Sequence, residues 1–210
     1  MNDLYFSKSG NSLRALLALE ECGLSYTPHK LDLANDAHKT PELLALNPLG
    51  ALPVLVHRPA GADAPLVLTQ SAAIVLFCAE TSGRFIPAET AARAEVQRWF
   101  MTAITDAQPL SQWLLYLTNN VPDLGEGAKT YLAGRFIGLM RTIDAHLAQT
   151  ASSSAADGYL CGAFSIADIA LFPVVNIRRP LLEAAGGFGP LLGWAERVAA
   201  RPAVRKALAA

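Results

Sequence analysis

The sequence predicts a small mixed α/β domain followed by an all-α one. Residues 1–81 alternate between the period of strands and that of helices, in the order β-α-β-α-β-β-α. Beyond Ser82-Gly83-Arg84-Phe85-Ile86-Pro87-Ala88, which reads as a linker, every patterned stretch is helical. The expected boundaries are 1–81 for the first domain, 82–92 for the linker and 93–210 for the second.

Asp3–Phe6 reads as a short strand, followed by the polar loop Ser7-Lys8-Ser9-Gly10-Asn11. Ser12 is the expected N-cap of a helix with Leu13, Ala15, Leu16, Leu17 and Leu19 on its apolar face, ending at Cys22-Gly23. A second strand covers Ser25–Leu33. Thr40-Pro41 then starts a short helix, Glu42–Leu46, with Thr as cap and Pro at the first helical position. A third strand runs from Pro53 to His57, and Pro59–Ala64 turns into a fourth, Leu66–Thr69. Gln70-Ser71 opens a helix that reaches Gly83. A crossover between the first two strands makes them parallel, and the closing hairpin is antiparallel.

The helical half is expected over Glu89–Leu117, Lys129–Gln149, Ser165–Asn176, Gly189–Arg201 and Pro202–Ala209, with loops at Asp123–Gly127 and Ser152–Gly158. Pro109 should kink the first of these. Ser165 and Asp168 have capping-box spacing, and Phe164 with Ile169 has the spacing of a hydrophobic staple.

Composition narrows the function. Hydrophobic residues make up 52% and charged ones 17%, enough for a core and against disorder. A net charge of −1 without a basic block gives no footprint for nucleic acid. Met1–Lys8 lacks the basic and apolar regions of a signal peptide, and no apolar run approaches the ~18–20 residues of a membrane span. Cys22, Cys78 and Cys161 are isolated and odd in number, without metal-ligand spacing, which fits buried thiols in a reducing cytoplasm.

Asn47-Pro48-Leu49-Gly50-Ala51-Leu52-Pro53-Val54-Leu55 runs a Pro- and Gly-bearing loop into a Pro that can sit only at a strand's start or edge. Together with Gln70-Ser71-Ala72-Ala73-Ile74, Phe164-Ser165-Ile166-Ala167-Asp168-Ile169 and the order of elements, it makes the whole chain resemble the glutathione S-transferase family. The likeness is to bacterial beta- and nu-like members, but Asn11 stands where the beta class has its cysteine. The resemblance implies a thioredoxin-like N-terminal domain that binds glutathione and an all-helical C-terminal domain lining an apolar pocket. It further implies a cytoplasmic homodimer acting in detoxification, without a metal.

The residue roles follow from the same resemblance. Leu52, before a cis Pro53, would pair its backbone N–H and C=O with the cysteinyl part of glutathione. Ser71, at a helix start where free N–H groups suit a carboxylate, would hold the γ-glutamyl end, though it also reads simply as a cap. Gln70 would accept from the α-ammonium, and Asp106 could supply charge there from a partner subunit. Lys39, with His38 as an alternative, lies in the zone that meets the glycine carboxylate.

A hydrogen-bond donor must keep the sulfur as thiolate. Cys22 is too deep in its helix and Tyr5 sits within a strand, which leaves Ser12 or Asn11, with Ser7 and Ser9 as weaker candidates. Trp113 and Tyr116 are the candidates for the pocket of a hydrophobic electrophile, whereas Trp99 and Phe100 read as core or dimer contacts. The expected activity is attack of glutathione thiolate on such an electrophile. Glutathione-dependent disulfide reduction, which an Asn in the loop resembles, and a non-catalytic glutathione-binding protein are the alternatives.

Overall fold

β1 (Asn2–Phe6) runs through the middle of a four-stranded sheet in this computed structural model, which describes residues 1–151 and 157–210. The strand order is β2-β1-β3-β4, with β2 (Thr27–Lys30), β3 (Val54–His57) and β4 (Leu66–Thr69). β1 pairs parallel with β2 and antiparallel with β3, and β3 pairs antiparallel with β4. This is the thioredoxin-like arrangement that the resemblance implies. Leu4 and Leu55, facing each other in register on the two central strands, are fully buried.

α1 (Gly10–Cys22) lies against α3 (Ser71–Ser82), burying Leu16, Leu17 and Leu19 on one side and Ile74, Val75 and Cys78 on the other. Truncating one such leucine to alanine costs ~2–5 kcal/mol. Ser9 caps α1, not Ser12: its hydroxyl accepts from the Ser12 N–H at 3.3 Å, and the helix therefore begins at Gly10. Gly23, at φ 69°, closes α1 in the left-handed conformation glycine takes without strain. β2 is shorter than the sequence implies, because Asp32 caps a single 3₁₀ turn (Leu33–Asn35) and Asp36 turns the chain at φ 50°. α2 (Pro41–Leu46) starts as expected, the Thr40 hydroxyl accepting from Leu43 N–H.

The chain divides into two compact units, Met1–Phe85 with Arg201–Ala210, and Ile86–Ala200. The last helix, α9 (Pro202–Ala209), thus leaves the expected all-α run and packs on α1. The physical reason is charge pairing. Arg201 grips the buried Glu21 carboxylate with two hydrogen bonds of 2.6 and 2.7 Å, and Lys206 meets Glu20 at 2.8 Å.

Among the described residues, the second unit is helical apart from two isolated β-bridges near Tyr159–Ala163. α4 (Thr90–Met101), capped by the Glu89 carboxylate, passes through a π turn (Thr102–Ala107) into α5 (Gln108–Asn120). Pro109 offers no N–H to the preceding turn, and the wide π turn takes up the mismatch where a kink was expected. α6 (Glu126–Ala151) starts before the expected Lys129 and turns Phe136, Met140, Ile143 and Leu147 into the core at helical spacing.

α7 (Ile166–Ala185) passes the expected end at Asn176 and carries Pro173 and Pro180 inside it. Arg178, just beyond that point, donates to the Ser111 hydroxyl of α5 at 2.9 Å and to its carbonyl, tying the extra turns down. α8 (Gly189–Ala199) completes the unit. Residues 152–156 of the expected loop Ser152–Gly158 lie outside the described residues.

Ser165 and Asp168 form the predicted capping box. The fully buried Asp168 carboxylate accepts from the N–H groups of Leu160 (3.0 Å) and Ser165 (2.9 Å), the Ser165 hydroxyl (3.1 Å) and the Trp194 indole (2.8 Å). Burial raises its pKa, and these hydrogen bonds oppose the rise.

Candidate functional site

Strand register gathers the predicted residues of the first unit at one end of the sheet. Val54 pairs with both Tyr5 and Thr69. The segment before β3 (Leu52-Pro53), the loop after β1 (Ser7–Ser9) and the start of α3 (Gln70-Ser71) therefore meet at that end. Lys30 pairs with Phe6, which brings the segment after β2 there too. A groove of about 440 Å³ between Ser7, Lys8 and Lys30–Leu33 opens at the same edge.

The Leu52–Pro53 peptide is cis; Pro53 is buried and Leu52 half-buried. The Asn47 amide donates to Ala51 C=O at 2.7 Å and its oxygen accepts from Leu49 N–H at 3.3 Å, fixing the loop ahead of that bond. Gln70 is exposed, with φ 67° and ψ 113°, a backbone state costly to any residue with a Cβ. It makes no side-chain cap to α3, so the first N–H groups of that helix are left for another acceptor. Ser71 is buried at the helix's first position.

The loop residues separate by exposure. Ser12 is fully buried, and its hydroxyl accepts from Ser7 N–H and from the Ser9 hydroxyl, each at 3.1 Å. Ser7 is buried as well, its hydroxyl donating to Ser9 at 3.3 Å. Asn11 is half-buried. Its amide oxygen accepts from Arg14 Nη1 at 2.8 Å, which leaves the NH₂ end as the donor.

Sequence reasoning missed Arg14. Unassigned by the sequence, it is 1% exposed. The same Nη1 that holds Asn11 donates to Ser71 Oγ at 2.9 Å. Burial pulls its pKa down to about 10, well above neutrality, so the guanidinium stays charged. One signal was available: Arg14 falls among Leu13, Ala15, Leu16 and Leu17, on the stretch of α1 that must be covered.

Lys39 is exposed and pairs with Asp36 at 2.9 Å, while its stem passes Gly50, where an added Cβ would lie 3.7 Å from Cγ. His38 Nδ1 is buried without a hydrogen-bond partner among the described residues. Tyr5 stacks on His29, ring centres 4.6 Å apart, and His29 bonds Asp3.

In the second unit Trp113 and Tyr116 stand out on α5, 56% and 49% exposed, whereas Trp99 and Phe100 are core residues. Asp106 is exposed and accepts from the Thr105 hydroxyl.

The three cysteines are poor nucleophiles. Burial pushes the thiols of Cys78 and Cys161 up to about 12 and raises that of Cys22. Among the described residues no cluster of His, Cys, Asp or Glu is arranged to hold a metal ion, and no helix is long and apolar enough to cross a membrane.

Comparison with known proteins adds three findings. Residues 9–81 match the family model described as glutathione S-transferase, N-terminal domain. Over 99% of its length the chain is 31% identical to disulfide-bond oxidoreductase YfcG of Escherichia coli (strain K12), covering 94% of that protein; it is 33% identical to glutathione S-transferase 3 of Zea mays, covering 96% of this chain and 90% of that one. Among solved structures it superposes, with a TM-score of 0.85 and 27% identity, on a glutathione transferase from Burkholderia graminis with two glutathione molecules bound per subunit, covering 99% and 87% of the two chains.

Proposed function

Because the chain belongs to the glutathione S-transferase family, we propose that it binds glutathione at this end of the sheet and uses the thiolate to reduce disulfides. The observation that carries the reading is the Asn11 amide. A guanidinium has no acceptor, so the atom it meets at 2.8 Å is the amide oxygen, and the NH₂ is what Asn11 has to offer a sulfur. A donor of that kind lowers the thiol's pKa without a protein thiol taking part.

Leu52 lends its backbone N–H and C=O to the cysteinyl part of glutathione, and the start of α3 with Ser71 takes the γ-glutamyl carboxylate. Gln70 accepts from the ammonium, and Lys39 meets the glycine carboxylate. The reaction balances in two displacements. The first thiolate attacks one sulfur of the disulfide, forming a mixed disulfide with glutathione and releasing a thiolate. A second glutathione thiolate then attacks the glutathione sulfur, giving glutathione disulfide and releasing the remaining thiolate. Similarity to a relative named as a disulfide-bond oxidoreductase supports this reading, as does a neighbour that holds two glutathione molecules per subunit.

The test is retention on immobilised glutathione followed by glutathione-dependent reduction of a small dialkyl disulfide. Retention with turnover that falls about tenfold or more in Asn11→Ala is the expected result. Retention without turnover leaves a binding protein only, and failure to be retained overturns the reading.

A second reading, transfer of glutathione to a hydrophobic electrophile, is favoured by the exposed Trp113 and Tyr116. It expects conjugation of an aryl halide with a KM that rises in Trp113→Ala while kcat is kept. The homodimer belongs to both readings and is checked by sedimentation.

A further inference from the structure

We infer that Arg14 is a positioning residue that couples the sulfur end of the glutathione site to its carboxylate end; the inference rests on the proposed glutathione site. One nitrogen, Nη1, carries two hydrogens and spends them on Asn11 Oδ1 (2.8 Å) and Ser71 Oγ (2.9 Å). Asn11 stands in the first turn of α1, and Ser71, 57 residues beyond Arg14, in the first turn of α3. The two helix starts are thereby set against a single rigid, planar group.

Three consequences follow from donor and acceptor chemistry. With its oxygen held, the Asn11 amide cannot flip, so its NH₂ keeps one orientation. With a lone pair on Ser71 Oγ taken by a cation, the hydroxyl proton is turned outward as a donor suited to a carboxylate. The guanidinium is 1% exposed, so neither oxygen loses its partner to water. Lysine in this place would bring the charge without the planar fork, and a point ammonium cannot fix both directions.

Arg14 touches no part of the ligand in this account. Its substitution should therefore impair two separable properties together: affinity, which reads the carboxylate end, and the ultraviolet thiolate band of bound glutathione, which reads the sulfur end. An arginine that merely filled space would change stability and leave the thiolate fraction of the bound ligand alone.

The experiment measures glutathione affinity and the thiolate band in the full chain carrying Arg14→Met, Arg14→Lys, Asn11→Ala and Ser71→Ala, singly and with Arg14→Lys combined with each of the other two. The expected result is that Arg14→Met lowers affinity about tenfold or more and weakens the band. Arg14→Lys should restore folding stability but not the band. Asn11→Ala should then cost the band less in the Arg14→Lys background than alone, and Ser71→Ala should likewise cost affinity less.

Should Arg14→Met fail to fold, the lysine combinations decide alone. Strict additivity in them, or a full thiolate band in Arg14→Lys, overturns the inference. Absence of glutathione binding in the unsubstituted protein overturns the proposed function instead, which keeps the two failures apart.

Discussion

Gln70 holds φ 67° and ψ 113° at the mouth of α3, a state that costs a side-chain-bearing residue ~1–3 kcal/mol. Glycine there should therefore stabilise the fold by about 1 kcal/mol in urea titration while weakening glutathione binding, since the amide that accepts from the ammonium is gone. Ser12 makes the opposite case. Its hydroxyl accepts from a buried N–H of Ser7, so Ser12→Ala should cost ~1–3 kcal/mol by the same titration, a larger loss than Asn11→Ala produces. These two serine and amide positions were legible as a polar loop at a helix start, and Asn11 could be named because the family resemblance aligns it with the beta-class cysteine. Which of the two is fully buried was not legible, because it depends on how deep the first turn of α1 sinks against the sheet. The partnership of Arg14 with Ser71 was hidden for a similar reason: no local period links residues 57 apart.

At the scale of the element, the signals that worked were those completed within a turn or two. Thr40-Pro41 and Ser165–Asp168 state their caps within four residues, and both formed as read. Asp168→Asn tests the second. One amide NH₂ would replace an oxygen that faces only donors, so a loss of about 3 kcal/mol or more is expected in the melting of the second unit, with α7 losing hydrogen-exchange protection first. The elements that misled were decided by distant partners. α7 continues past two prolines because Arg178 is anchored on α5, and α9 joins the first unit because Glu20 and Glu21 of α1 await Lys206 and Arg201. A proline inside a helical pattern and a helix at the end of a helical run both favour the wrong local answer.

At the scale of the whole molecule, Asp3 gives the first unit an acid response. His29, hydrogen-bonded to Asp3, together with Arg58, holds that carboxyl below its ordinary 3.8 against the opposing effect of burial. A depressed folded pKa contributes stability that is fully present above the unfolded value and is lost as the pH falls through the folded one. The pair's contribution should thus stand undiminished above about pH 5 and fade below 3.8, and Asp3→Asn should flatten that part of a stability-against-pH curve. The order of elements in the first unit and the antiparallel closing hairpin could be read from alternating periods and turn residues, since those signals are local, whereas the strand order β2-β1-β3-β4 came only with the structure. The cysteines carry a different consequence for the molecule as a whole. With thiols raised to about 12, Cys78 and Cys161 hold only about one thiolate in 10⁵ at neutral pH. On the proposed reading, in which glutathione disulfide is the product, the chain is thereby deaf to that product. Incubated with that disulfide, the native protein should keep its mass, while the same protein in denaturant should gain glutathionyl adducts. A catalyst of the proposed kind would keep its own thiols reduced through an oxidative burst.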